Sequence, residues 1–152
     1  MNSTTTISYN DNSLKPFWNG LFAVPTEETK QDDTSLFSQI NEALSFLRRN
    51  DCFIVPEQEL EIKEFLGNNQ TIIGYLFEAP SIIAKYFPGA PLSLEIMFDP
   101  EDGDFPGELF INIGTKLDAE DAAKRLDLFD GEWLVKRVGK DIGKFNVNLE
   151  FI

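Results

Sequence analysis

The sequence predicts an α+β fold, with N-terminal helices packed on one face of a small, mainly antiparallel sheet. Three observations carry this expectation. Apolar residues recur at threes and fours through residues 35–87, the period of helices with one buried stripe. After Pro91 the period changes to two, the mark of half-buried strands. A helical stretch headed by Asp118 separates the second strand from the last, so the C-terminal half reads as hairpin, helix, strand.

The elements follow in order. Residues 1–34 read as a loosely ordered arm and residues 35–152 as a single α+β domain. The arm's polar tracts flank Phe17-Trp18-Asn19-Gly20-Leu21-Phe22, whose aromatics are expected to dock on the domain, since exposed Trp and Phe are a liability. In the first helix, about Ser35 to Arg49, Leu36, Phe37, Ile40, Leu44 and Leu47 form one stripe. Asp32, Asp33 and Thr34 offer N-caps, and Arg48 and Arg49 suit the negative C-terminal end. Cys52–Val55 is a short apolar link. Pro56 opens a second helix carrying Leu60, Phe65 and Leu66, which Gly67 can stop. Ile72, Ile73, Leu76 and Phe77 fit one or two helical turns, with a strand open as the alternative. Pro80 then begins a further short helix that ends at Pro88-Gly89.

In the C-terminal half, Leu92, Leu94, Ile96 and Phe98 alternate with Ser93, Glu95 and Met97. Leu109, Ile111 and Ile113 alternate with Phe110 and Asn112, after a turn-rich link too long for a two-residue hairpin. Asp118 caps a helix holding Ala122, Leu126 and Phe129, with a break at Asp130-Gly131 before Trp133 and Leu134. The last strand puts Phe145, Val147, Leu149 and Phe151 on one face and Asn146, Asn148 and Glu150 on the other.

Composition narrows the chemistry. The chain has 152 residues, near the usual size of one domain, and can bury roughly 70% of its unfolded surface without disulfides or metals. Twenty-six acids against thirteen bases leave a net charge of −13. Such a surface repels phosphates and anionic lipid, so no direct nucleic-acid and no membrane binding is expected. The chain has no histidine, which removes Ser-His-Asp and Cys-His triads and every histidine-containing metal site. Its one cysteine, Cys52, lies beside Phe53, Ile54 and Val55 and reads as a buried, inert thiol. Met1–Ser13 has neither the basic start nor the apolar run of a signal peptide, so a cytoplasmic protein is expected.

The densest chemical feature is acidic. Six carboxylates and no base fall between residues 95 and 108: Glu95, Asp99, Glu101, Asp102, Asp104 and Glu108. Hard cations favour such oxygens, which makes Asp99, Glu101 and Asp104 candidate calcium or magnesium ligands. The spacing is not that of an EF-hand, because Gly103 would fall one place early and Phe110 would replace the closing glutamate. Crowded carboxylates in a turn are more often simply solvated. Asp99, Glu101, Asp102, Asp104 and Glu108 are equally candidates for binding a basic protein partner. A second group, Asp127, Asp130 and Glu132, brackets Phe129 and Trp133. It could supply the acid and base of glycoside hydrolysis, but the favoured reading is a capped helix end with Phe129 and Trp133 in the core and the acids in water, since nothing marks a pocket. Gly139-Lys140-Asp141-Ile142-Gly143-Lys144 lacks the glycine spacing and the Ser/Thr of a phosphate loop. Its lysines, with Lys136 and Arg137, are expected to pair with acids of this chain or of a second copy. Ser93, Glu95, Asn112, Asn146, Asn148 and Glu150 should share the sheet's outer face, either as solvated surface or as a polar docking surface.

Residues Leu94–Asp102, Leu109–Thr115 and Ala122–Trp133 carry a resemblance. Their strand ending in Asp-Pro-Glu, second strand, and helix ending Leu-Asp-x-Phe-Asp-x-Glu-Trp resemble a family of small uncharacterised bacterial proteins. The resemblance spans about residues 60–152 and brings no activity with it. Where those proteins carry a second Trp this chain has Leu134, which argues against a paired-tryptophan binding box.

The favoured expectation is a small acidic, non-catalytic binding or regulatory module for a basic partner, of antitoxin, immunity or adaptor type. The alternatives are a carboxylate- or divalent-metal-dependent enzyme and, third, a DNA-mimic inhibitor. Polar sheet edges leave a homodimer open.

Overall fold

The computed structural model describes residues 27–104 and 106–152, with side chains from residue 34 onward. The expected docking of Phe17–Phe22 lies outside the described residues. The chain divides into two units, residues 1–35 and 36–152, and the second holds the fold described below.

Four helices and a four-stranded sheet make an α+β architecture. Helix α1 (Glu27–Arg49) leads into strand β1 (Cys52–Ile54). A 3-10 turn at Pro56–Gln58 precedes α2 (Glu59–Asn68), and α3 (Thr71–Tyr86) follows. Strands β2 (Leu92–Met97) and β3 (Glu108–Thr115) form the central pair. Helix α4 (Ala119–Phe129), a π-helical segment (Asp130–Val138) and a 3-10 turn (Gly139–Asp141) lead to β4 (Phe145–Phe151). Among the described residues no helix is long and apolar enough to cross a membrane.

The sheet is mixed, not mainly antiparallel. Its order is β1-β2-β3-β4, and only β2 and β3 run antiparallel; β1 with β2 and β3 with β4 are parallel. Connectivity explains the correction. Parallel neighbours need a crossover of a dozen or more residues, usually helical, and α2–α3 and α4 with its π segment supply them.

Four further expectations are corrected. The Cys52–Val55 link is a strand, paired through Cys52, Phe53 and Ile54 with Leu92, Ser93 and Leu94. The first helix starts at Glu27. The two short helices around Pro80 are one helix, α3, with Pro80 in its interior. An interior proline costs about 3 kcal/mol through the lost hydrogen bond and ring clash. Here Ile72, Ile73, Tyr75, Leu76, Ala79, Pro80 and Ile83 are all buried, so packing around the helix outweighs that penalty. Finally, Asp130-Gly131 does not break the chain direction, because the helix continues as a π segment. Its i→i+5 ladder brings residues four and five apart onto one side. Phe129, Trp133, Leu134 and Val138 are therefore buried together.

Local signals fix the ends. The Asp118 carboxylate accepts from the Asp121 N–H at 2.9 Å and caps α4 as expected. At the end of α1 the Asn50 side chain donates to the Phe46 carbonyl at 2.9 Å. Asp51 then takes φ 61°, a left-handed turn that few residues other than glycine adopt.

One register sorts both faces of the sheet. Ile54, Leu94, Ile111 and Val147 lie in a row across the four strands and are buried under the helices. The next row, Phe53, Ser93, Asn112 and Asn148, points the other way. Phe53 is 61% exposed. Cys52, on the buried face, has its thiol pushed up to about 12 by burial, partly opposed by Arg48. That is the inert thiol the sequence predicts.

The contrast between the two faces is testable. Leu76→Ala, in the wholly buried part of α3, is expected to cost about 2–5 kcal/mol in denaturant unfolding. Phe53→Ala is expected to cost under about 1 kcal/mol. Equal losses would mean that the outer face is packed.

Candidate functional site

The outer face of the sheet is the surface that the fold leaves without a covering layer among the described residues. Strand alternation places Phe53, Ser93, Glu95, Met97, Glu108, Phe110, Asn112, Asn146, Asn148 and Glu150 there. Phe53 and Met97 are well exposed, and Phe110 is half-buried. Asn112 Nδ2 donates to Glu95 Oε2 at 2.8 Å and approaches Ser93 Oγ at 3.4 Å, so the polar residues at the centre are oriented by one another. A shallow groove of about 490 Å³ runs between Phe53, Ser93, Asn112 and Asn148.

The acidic turn leaves this face at Met97 and re-enters it at Glu108. Asp99, Glu101, Asp102 and Asp104 are all exposed. Two of them organise the turn itself: Asp99 Oδ1 accepts from the Glu101 N–H at 2.9 Å, and Asp102 Oδ1 from the Asp104 N–H at 3.1 Å. These are local side-chain-to-backbone turns, which is one reason for aspartate here. Glu108 is half-buried, and burial raises its carboxyl above the usual range against the opposing bond to Asn146. Phe98, half-exposed, lies across Gly107, where a Cβ would come 2.9 Å from the ring. Gly107 also has φ 99°, so only glycine fits this return. Among the described residues no three His, Cys, Asp or Glu side chains are gathered as a metal-ligand set, and that includes Asp99, Glu101 and Asp104.

The second acidic group is dispersed in its roles. Glu132 accepts from the Tyr86 hydroxyl and pairs with Lys85 at 3.3 Å. Asp130 Oδ1 is buried with no hydrogen-bond partner, and burial, then the neighbouring Asp127, raises its carboxyl. Phe129 and Trp133 are core residues in contact at 5.6 Å between ring centroids.

A polar clamp that sequence reasoning missed ties α3 to the π segment and its following turn. Glu78 receives Arg137 through Nε and Nη2 at 2.8–3.0 Å, and its Oε1 also accepts from Trp133 Nε1 at 3.0 Å. The Arg137 guanidinium lies over the Tyr75 ring, 4.8 Å from its centroid. Tyr75 in turn donates to the buried Asp141 Oδ2 at 2.6 Å, and Thr71 donates to the same atom at 3.1 Å. Arg137 thus pairs within the chain, as its basic segment was expected to do. The signal available in the sequence was Asp141 between two glycines, Gly139 and Gly143, both of which take positive φ in a shaped loop.

A scan against protein-family models and searches of curated proteins and of solved structures find no match to this chain.

Two stability predictions follow from the clamp and from Asp130. The Tyr75 hydroxyl, then Thr71, holds the Asp141 carboxyl below its usual range against burial, and Arg137 does the same for Glu78. Both folded values lie below the unfolded ones, so this stabilisation is present above the unfolded carboxylate range. It is lost as pH falls from there through the folded values. Tyr75→Phe is expected to cost about 1–3 kcal/mol at neutral pH and to flatten the acid limb of a Tm-against-pH curve. An unchanged acid limb would contradict the clamp. Asp130→Ala removes a buried, unpartnered oxygen and is expected to raise Tm by about 2–4 °C. A lowered Tm would show that Asp130 has a partner in solution.

Proposed function

We propose that this chain is a small, non-catalytic protein-binding module whose open sheet face and acidic turn engage a basic protein partner, in the manner of an antitoxin, immunity protein or adaptor. The observation that carries the reading is the outer face itself: exposed Phe53 and Met97 beside hydrogen-bonded Asn112 and Glu95. Interfaces of this kind combine aromatic or methionine anchors with a polar rim. The rim here is acidic. Asp99, Glu101, Asp102, Asp104 and Glu108 continue the face on one side, and the chain carries a net charge of −13. Such a field accelerates encounter with a cationic surface and orients it, while the apolar anchors hold the complex once formed. The carboxylates need no metal in this role, because their solvated charges act at a distance.

Affinity capture with the full chain tests it, comparing wild type, Phe53→Ser/Met97→Ser and a variant with Asp99, Glu101 and Asp104 changed to Asn, Gln and Asn. The expected result is one stoichiometric basic protein, released at high salt. It should be weakened by the turn variant chiefly in association rate and lost with the face variant, while the Tm values stay close. Capture that survives both variants unchanged would contradict the proposal. A complex that consists of a second copy of the chain would replace it with self-association along an open strand edge.

A further inference from the structure

At the end of the β2–β3 pair opposite the acidic turn, a cavity of about 610 Å³ opens between the loop before β2, the exit of β3 and α4. Its size falls in the range of small-molecule sites, about 300–1,000 Å³. The fold builds it by close approach. The Gly114 N–H donates to the Pro91 carbonyl at 2.8 Å, and a Cβ on Gly114 would meet Pro91 Cγ at 2.9 Å. The Ile152 N–H donates to the Thr115 carbonyl, and the buried Thr115 hydroxyl accepts from the Leu117 N–H, both at 3.1 Å. Phe87, Ala90, Pro91, Leu117 and Ile152 give it apolar walls.

Its charges depart from the rest of the chain. Lys116 and Arg125 are the charged side chains of the lining, and no Asp or Glu side chain among the described residues lines it, although acids outnumber bases two to one in the sequence. Among the described residues neither cation belongs to an ion pair. Arg125 is held in place because Nη1 donates to the Tyr86 carbonyl at 2.9 Å, which leaves its other N–H donors for a ligand. Another cation-bearing cavity, about 510 Å³ beside Lys140 and Lys144, differs in that the buried Asp141 carboxylate already stands in it.

We infer that this cavity binds a small amphipathic organic acid, with its apolar body against Phe87, Pro91 and Leu117 and its carboxylate on Arg125, Lys116 adding charge at the rim. Apolar walls with a few convergent polar groups are the usual form of such sites. Arginine is suited to a carboxylate because its planar fork gives two parallel hydrogen bonds. The site lies apart from the open sheet face and does not depend on the protein-binding reading.

Amide NMR titration of the full chain with phenylbutyrate, and with phenylbutanol as its neutral counterpart, tests the inference. Saturable shifts confined to the amides of Phe87, Gly89, Ala90, residues 114–117 and Arg125 are expected for the acid, with the alcohol at least about tenfold weaker. Arg125→Gln is expected to weaken the acid about tenfold and leave the alcohol unchanged. Because Arg125 also holds the Tyr86 carbonyl, Lys116→Gln serves as the second variant, with an expected loss of about threefold for the acid alone. Absence of saturable shifts in these segments would overturn the site. Equal affinity for acid and alcohol, or no loss in either variant, would overturn its anion selectivity and with it the inference.

Discussion

Helix α3 is the constraint on which the remaining elements depend. Its buried residues, from Ile72 to Ile83, make one broad apolar side, while Thr71, Phe77, Ser81, Ala84 and Lys85 are exposed, so that side must pack against other elements to be stable in water. Phe77 meets Phe46 of α1 at 5.3 Å on one side, and Tyr75 meets Phe145 of β4 at 5.8 Å on another. Enclosure by apolar contact alone would leave the rotation of α3 loosely fixed. The Glu78–Arg137 fork and the Tyr75–Asp141 bond supply direction, because hydrogen bonds to charged groups lose strength quickly with misalignment. Gly74 belongs to the same arrangement: a Cβ there would stand 3.4 Å from Arg137 Nη2.

Once α3 covers one face of the sheet, the other face follows from strand alternation. The helices of both crossovers bury the row that contains Leu94 and Ile111, and the residues between them are turned outward. Parallel pairs are usually covered on both faces, so two of them with a side left open among the described residues are unusual for a chain with no further role for that side. Charge is distributed along the same axis. Carboxylates gather at the turn between β2 and β3, while Lys116 and Arg125 stand at the opposite end, where β3 runs out. The molecule therefore presents two chemically distinct surfaces separated by the length of a strand pair, roughly 20 Å.

Much of this was legible in the sequence. The period-two runs at residues 92–98, 109–113 and 145–151 gave three strands and the correct outward set, Ser93, Glu95, Asn112, Asn146, Asn148 and Glu150. Asp118 announced α4 by its capping chemistry. What stayed hidden depended on tertiary partners. Pro80 reads as a helix start until its burial on the broad packed side of α3 is known, and a three-residue strand such as Cys52–Ile54 has too few residues to show alternation. The parallel pairings are set by how α2–α3 and α4 cross over, which no local pattern encodes. Of the site, the acidic turn was visible as composition, and its Asx-type bonds were not. The clamp joins residues 59 positions apart in sequence, Glu78 and Arg137, and nothing local marks that pairing. The cationic cavity draws on four separate segments, so its two charges read as ordinary surface residues until the fold brings them together.

A partner can be received as proposed only if the sheet's outer face is open in the full chain. Hydroxyl-radical footprinting of the intact, unliganded protein measures this directly, side chain by side chain. An open face requires Phe53, Met97 and Phe98 to be oxidised at rates typical of exposed residues, with Phe129, Trp133 and Phe145 protected. Protection of Phe53 and Met97 to the level of Phe129 would contradict it, because the face would already be covered within the chain's own fold.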